Sequence, residues 1–152
     1  MLRALEIDQA NADIYGQLGI IYYKSRNFEG SILALKCAVR GCTPEESCDA
    51  RGGCGEAEQG VQVTGLPLSP NTVAYYYEYV EGLALLTNPP LSNYCPEASQ
   101  PAAELRIQTY GSDPVVKAVV NAVLQDYEDI CASLEEGATP VVSTPSQITP
   151  EP

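Results

Sequence analysis

Six cysteines and not one histidine restrict this chain more than any other feature of it. The cysteines are Cys37, Cys42, Cys48, Cys54, Cys95 and Cys131. Zinc sites built on cysteine use short CxxC pairs, commonly completed by histidine. Neither is present here. A dense, even set of cysteines without metal spacing points to disulfides, which persist in oxidising compartments and are rare in the cytosol. The expected location is therefore extracytoplasmic: secreted, periplasmic or at the cell surface. Four of the six crowd into residues 37–54, around the Gly-rich stretch GCTPEESCDARGGCGEAEQG. Little apolar material is available there to order the backbone, and cross-links supply order by restricting the unfolded chain. Pairing among these four admits three connectivities, and the spacing does not choose between them. Cys95 and Cys131 are left for each other, joining segments 36 residues apart.

Without histidine the chain also lacks the commonest general base and the commonest metal ligand. It cannot form a Ser–His or Cys–His nucleophilic pair on its own. Asp126, Glu128 and Asp129 read as a solvated helix face, without the raised-pKa environment that acid–base work needs. The stretch DARGGCGE at Asp49–Glu56 lacks the alternating oxygen ligands of calcium loops. No catalytic residue, cofactor or metal is expected. A net charge of −12 and a pI near 4.2 repel nucleic-acid phosphates and anionic lipid, so nucleic-acid binding is not expected. No run of eighteen apolar residues occurs, so no membrane insertion is expected. The N-terminus, MLRALEIDQANA, turns acidic at Glu6 and Asp8 and does not read as a signal peptide.

Apolar periodicity predicts an all-α fold. Residues 1–10 end one helix. Residues 12–25 form the next, with Ile14, Leu18 and Ile21 on one stripe beside Tyr15 and Tyr22. Arg26-Asn27 makes a tight turn, and residues 28–40 form a third helix striped by Ile32, Leu35 and Val39. Two helices so joined make an antiparallel αα-hairpin. Residues 41–70 break the pattern and read as an irregular insertion stapled by disulfides. Helical periodicity resumes at Asn71, read as an N-cap, and runs to Leu86. A Pro-rich loop fills 87–94. Pro96 suits the first turn of a helix over roughly 96–110, and the last helix spans about 114–135. Residues 1–135 thus form one helical domain. Residues 136–152 are a Thr/Ser/Pro-rich tail with little to bury, read as a linker or an O-glycosylated stalk. Thr139, Ser143, Thr144 and Thr149 are the candidate glycan sites.

The segment NADIYGQLGIIYYKSRNFEGSILALKCAV resembles a tetratricopeptide repeat. Ala4-Leu5 and Ala38-Val39 stand 34 residues apart, which is the period of that family. Tyr15 takes the first aromatic position, Leu18-Gly19 the Leu-Gly pair and Tyr22 the next aromatic position. Phe28 opens the second helix, with Ser31 and Ala38 at its small-residue positions. Gly19 and Ser31 lack bulk where two helices must approach closely. The close match covers residues 4–43. Residues 72–135 are a degenerate continuation in which Gly82 stands at the glycine position and Glu81 replaces the leucine before it. The resemblance implies a short α-solenoid of antiparallel helix pairs that binds protein on the concave face of its first helices. On that basis Asp13, Gly16, Ile20 and Tyr23 would face a partner. Gly16 and Ile20 replace the Lys and Asn that peptide-carboxylate clamps use, so that mode of binding is not expected.

The tyrosines at 75, 76, 77 and 79 are the other feature suited to an interface. Tyr75 and Tyr79, at i and i+4, read as core, which leaves Tyr77 as the surface residue. The expectation is a non-catalytic scaffold mediating protein–protein contacts, its partners including copies of itself. The alternative is a subunit of an extracellular filament or surface layer. Its head-to-tail contacts would run through the half repeat at residues 1–8 and the tail.

Overall fold

A computed structural model describes residues 10–54, 60–107 and 109–138. Across them the fold is all-helical. The helices are α1 (Ala12–Lys24), α2 (Phe28–Val39), α3 (Pro44–Ala50), α4 (Val73–Leu85), α5 (Cys95–Ile107) and α6 (Pro114–Ala138). The half repeat at residues 1–8 and the tail sites Thr139, Ser143, Thr144 and Thr149 lie outside the described residues. No helix among the described residues is long and apolar enough to cross a membrane.

The hairpin of α1 and α2 follows from its caps and its small residues. The Asn11 side chain accepts from the backbone N–H groups of Asp13 at 3.0 Å and Ile14 at 3.4 Å, satisfying donors that a helix start leaves open. Arg26 takes a positive φ of 66° to reverse the chain, and Asn27 caps α2 by accepting from Gly30 N–H. Within the hairpin a Cβ on Gly19 would stand 2.5 Å from Leu35 Cγ, so glycine is what allows the approach. Ser31, fully buried, donates its hydroxyl to the Gly19 carbonyl at 2.7 Å across the same seam.

The insertion at 41–70 is less irregular than its composition predicts, because it contains α3. Thr43 accepts from Glu46 N–H at 3.2 Å while the Glu46 carboxylate accepts from Thr43 N–H at 3.0 Å, a reciprocal capping box with Pro44 just inside it. The sequence Thr43-Pro44-Glu45-Glu46 carries that signal. Lys36 bonds the same Glu46, which holds its carboxyl below the ordinary range. Two disulfides staple the segment, Cys37–Cys42 and Cys48–Cys54. Cys42 and Val63 exchange two backbone bonds of 3.0 Å each, and Leu66 N–H donates to Ala38 at the end of α2. We predict that Thr43→Ala lowers stability by about 1 kcal/mol. Amide exchange should show the loss as weakened protection confined to residues 44–50.

Asn71 is not the cap of the next helix. Thr72 takes that place and makes no side-chain cap bond. Its hydroxyl is already engaged, donating to Pro67 O at 2.7 Å and accepting from Ser69 N–H at 2.9 Å to close the preceding turn. Helix α4 is the hub of the molecule. It packs against α1, α2, α5 and α6, while α2 also packs on α1 and α3, and α5 on α6. Tyr75, Tyr76, Tyr79, Val80 and Leu83 on α4 are all buried. Gly82 is buried as well, and a Cβ there would lie 3.0 Å from Ile32 Cγ2. The Cys95–Cys131 disulfide joins α5 to α6, whose inner stripe is Val120, Val123 and Tyr127.

Candidate functional site

Helices α1, α4 and α6 meet along one side of the molecule in a cleft of about 240 Å³. Tyr23 enters it from α1. Tyr77, Glu78 and Glu81 enter from α4, and Asp126 from α6. On α4, Tyr77 and Tyr79 are two residues apart, about 200° around the helix. Tyr79 therefore goes to the core and Tyr77 is left half-buried at the cleft. Residues 78 and 81, one turn apart, share the cleft face with Tyr77. Tyr23 is fixed from behind by an edge-to-face contact with Phe28, ring centroids 5.2 Å apart.

The cleft is negatively charged and incompletely hydrogen-bonded. One oxygen of Glu78, Oε2, and one of Glu81, Oε1, are buried without a hydrogen-bond donor. Burial pushes the Glu81 carboxyl up to about 7, with the facing carboxylates of Asp126 and Glu78 adding to the shift. Burial raises Glu78 as well, against the opposing charge of Lys24. The Tyr23 hydroxyl is raised to about 12 by burial and then by Glu81, Glu78 and Asp126, with Arg26 opposing. Such a site attracts cations: aromatic faces and carboxylates both favour positive charge. Asp126 is exposed, as a solvated helix face implies, while the fold supplies at Glu81 a perturbed environment that the linear sequence does not reveal.

Of the five residues expected at a partner surface, the structure brings two together, Tyr23 and Tyr77. Gly16 is a correction. It is buried, and a Cβ there would meet the Tyr75 ring at 2.6 Å, so this glycine makes room for a packed aromatic. Asp13 is exposed, but its carboxylate accepts from the Tyr75 hydroxyl at 2.6 Å and serves that packing. Ile20 is half-buried against the core. Glu78 and Glu81 were missed as site residues. Their signal was two carboxylates one turn apart in the otherwise apolar run VAYYYEYVEGLAL.

A second groove, of about 320 Å³, lies on the other side of α4, between Ile32, Leu33, Lys36, Tyr79, Tyr94 and Glu97. Its cation, Lys36, is already paired with Glu46. The α1–α4–α6 cleft is therefore the better candidate for an incoming charged group. Compared with protein-family models, curated proteins and solved structures, the chain matches none of them.

Proposed function

We propose that this chain is a non-catalytic scaffold of the tetratricopeptide type, binding a protein partner outside the cytosol through the cleft between α1, α4 and α6. One observation carries the reading. Two tyrosines and three carboxylates converge there from three helices, with carboxylate oxygens lacking donors. A basic side chain with an apolar stem fits that chemistry, its charge meeting the carboxylates and its stem the rings.

The neighbour pattern supports the solenoid part of the reading. Helix α2 packs between α1 and α4, and α5 packs between α4 and α6, while α1, α4 and α6 also touch in succession. That is how stacked helix pairs bury a continuous core, with the first helix of each pair forming one face. The small residues Gly19, Ser31 and Gly82 stand at the close approaches such stacking needs. Three disulfides support an oxidising compartment.

The test is selection of peptides from a random displayed library on the intact protein. The expected binders carry Lys or Arg beside an apolar residue. Tyr23→Ala and Tyr77→Ala should each weaken a selected peptide about tenfold, the scale of an aromatic contact at an interface centre. Peptides that bind both variants as tightly as the parent would overturn the proposal. Light scattering of the same protein addresses the building-block alternative, which requires concentration-dependent polymers.

A further inference from the structure

The three disulfides differ in what covers them. Cys37–Cys42 and Cys95–Cys131 are sealed in the core, none of the four cysteines being more than 7% exposed. Cys48 and Cys54 are both partly exposed. This third bridge also carries a cation. The Arg51 guanidinium donates to Cys54 Sγ at 2.9 Å and reaches Cys48 Sγ at 3.7 Å.

Local structure holds the guanidinium there. Arg51 directly follows α3, and its Nε donates to Ser47 O, one turn back, at 3.3 Å. Ser47 is buried and fixed in turn. Its hydroxyl donates to Pro44 O at 2.7 Å and accepts from Val61 N–H at 3.1 Å. The bridge is closed by the turn Gly52-Gly53, at φ +86° and +107°. Both glycines are exposed, and a Cβ on either would meet nothing within 4 Å.

We propose that Cys48–Cys54 is a thiol-exchange site, where a small thiol is taken up reversibly as a mixed disulfide on Cys48. The lone pair of the incoming thiolate forms a new S–S bond to Cys48 Sγ. The Cys48–Cys54 bond breaks, and its electron pair stays on Cys54 Sγ as a thiolate. One disulfide replaces another, so no oxidant or reductant is consumed. A guanidinium beside a sulfur stabilises its thiolate, and a more stable thiolate leaves faster. The shorter Arg51 contact is to Cys54, which makes Cys54 the leaving sulfur and Cys48 the acceptor. Attack by the Cys54 thiolate on Cys48 Sγ reverses the step and expels the thiol as its own thiolate. Glu45 and Asp49 are exposed on the same short helix, so a thiol without net charge approaches more readily than an anionic one. Opening the bridge leaves α3 held by its capping box, by Lys36 on Glu46 and by the Val61 bond to Ser47.

The test uses the intact, oxidised protein and does not involve the α1–α4–α6 cleft. The protein is exposed briefly to limiting L-cysteine, and free thiols are then trapped with N-ethylmaleimide. Non-reducing peptide mass mapping should find L-cysteine on Cys48 and maleimide on Cys54, with Cys37–Cys42 and Cys95–Cys131 intact. Arg51→Gln should slow the uptake about tenfold and spread the L-cysteine over both sulfurs. The proposal is overturned by no uptake at Cys48, or by attachment mainly to Cys54 in the parent. A core bridge that opens as fast as Cys48–Cys54 overturns it too, as does an Arg51→Gln rate equal to or above the parent's.

Discussion

Tyr79→Ala is expected to lower folding stability by about 4 kcal/mol, the scale for truncating a buried aromatic. Tyr79 is 2% exposed and stands where α4 meets α2 and α5. Removing its ring leaves a cavity at the hub of the helix array, against neighbours that are themselves fixed. Leu83, one turn on, is 0% exposed, and Ile32 already presses on Gly82. Tyr77, two residues away, provides the control. It is half-buried at the cleft rim, so its truncation should cost less than about 1.5 kcal/mol of stability while weakening peptide binding. Denaturant titration of the two variants with unchanged m values reads the difference directly. Natural domains hold only about 5–15 kcal/mol in all, so the first variant should be visibly fragile and the second should not.

The double replacement Cys95→Ala and Cys131→Ala is the second large effect. This bridge spans 36 residues, against separations of 5 and 6 for the other two. On loop-closure entropy it contributes about 4 kcal/mol and each short bridge about 2 kcal/mol. The long bridge ties α5 to α6, and both of its cysteines are buried, so alanine introduces no exposed polar group. The loss should therefore register as destabilisation of the α5–α6 pair. Native-state amide exchange should show α5 and α6 opening first, with the α1–α2 hairpin still protected. Equal destabilisation by removing Cys48–Cys54 would contradict the ranking.

The helices were legible where local physics decides. Apolar spacing marks α1, α2, α4 and α6, and proline and glycine mark the ends. Helix α5 ends at Ile107, three residues short of the expected 110 and ahead of Gly111 with φ +112°. The close seam of Gly19 with Ser31 was legible as well, because small residues in an αα-hairpin have few other uses. Helix α3 was hidden by the glycines around it, although its capping box was written at Thr43–Glu46. The cap of α4 was misplaced by one residue, because a hydroxyl already closing a turn cannot be recognised from its neighbours in sequence.

The cleft was only half legible. Tyr23 and Tyr77 could be singled out one at a time. Nothing local says that they meet, or that Asp126 stands across from Glu81, more than forty positions away. Gly16 was assigned to the open face by analogy of register. Tyr75, arriving from a helix sixty residues on, covers it instead. Sites assembled from three helices depend on long-range packing, and that is where single-residue patterns stop informing.

The most direct test of the docking face is a hydrogen-exchange footprint of the intact protein with a library-selected peptide bound. Protection should increase around Tyr23 on α1, over residues 77–81 on α4 and over residues 119–126 on α6, all three together. Protection confined to the opposite groove, around residues 32–36 and 94–97, would contradict the assignment of the α1–α4–α6 cleft as the surface this protein uses.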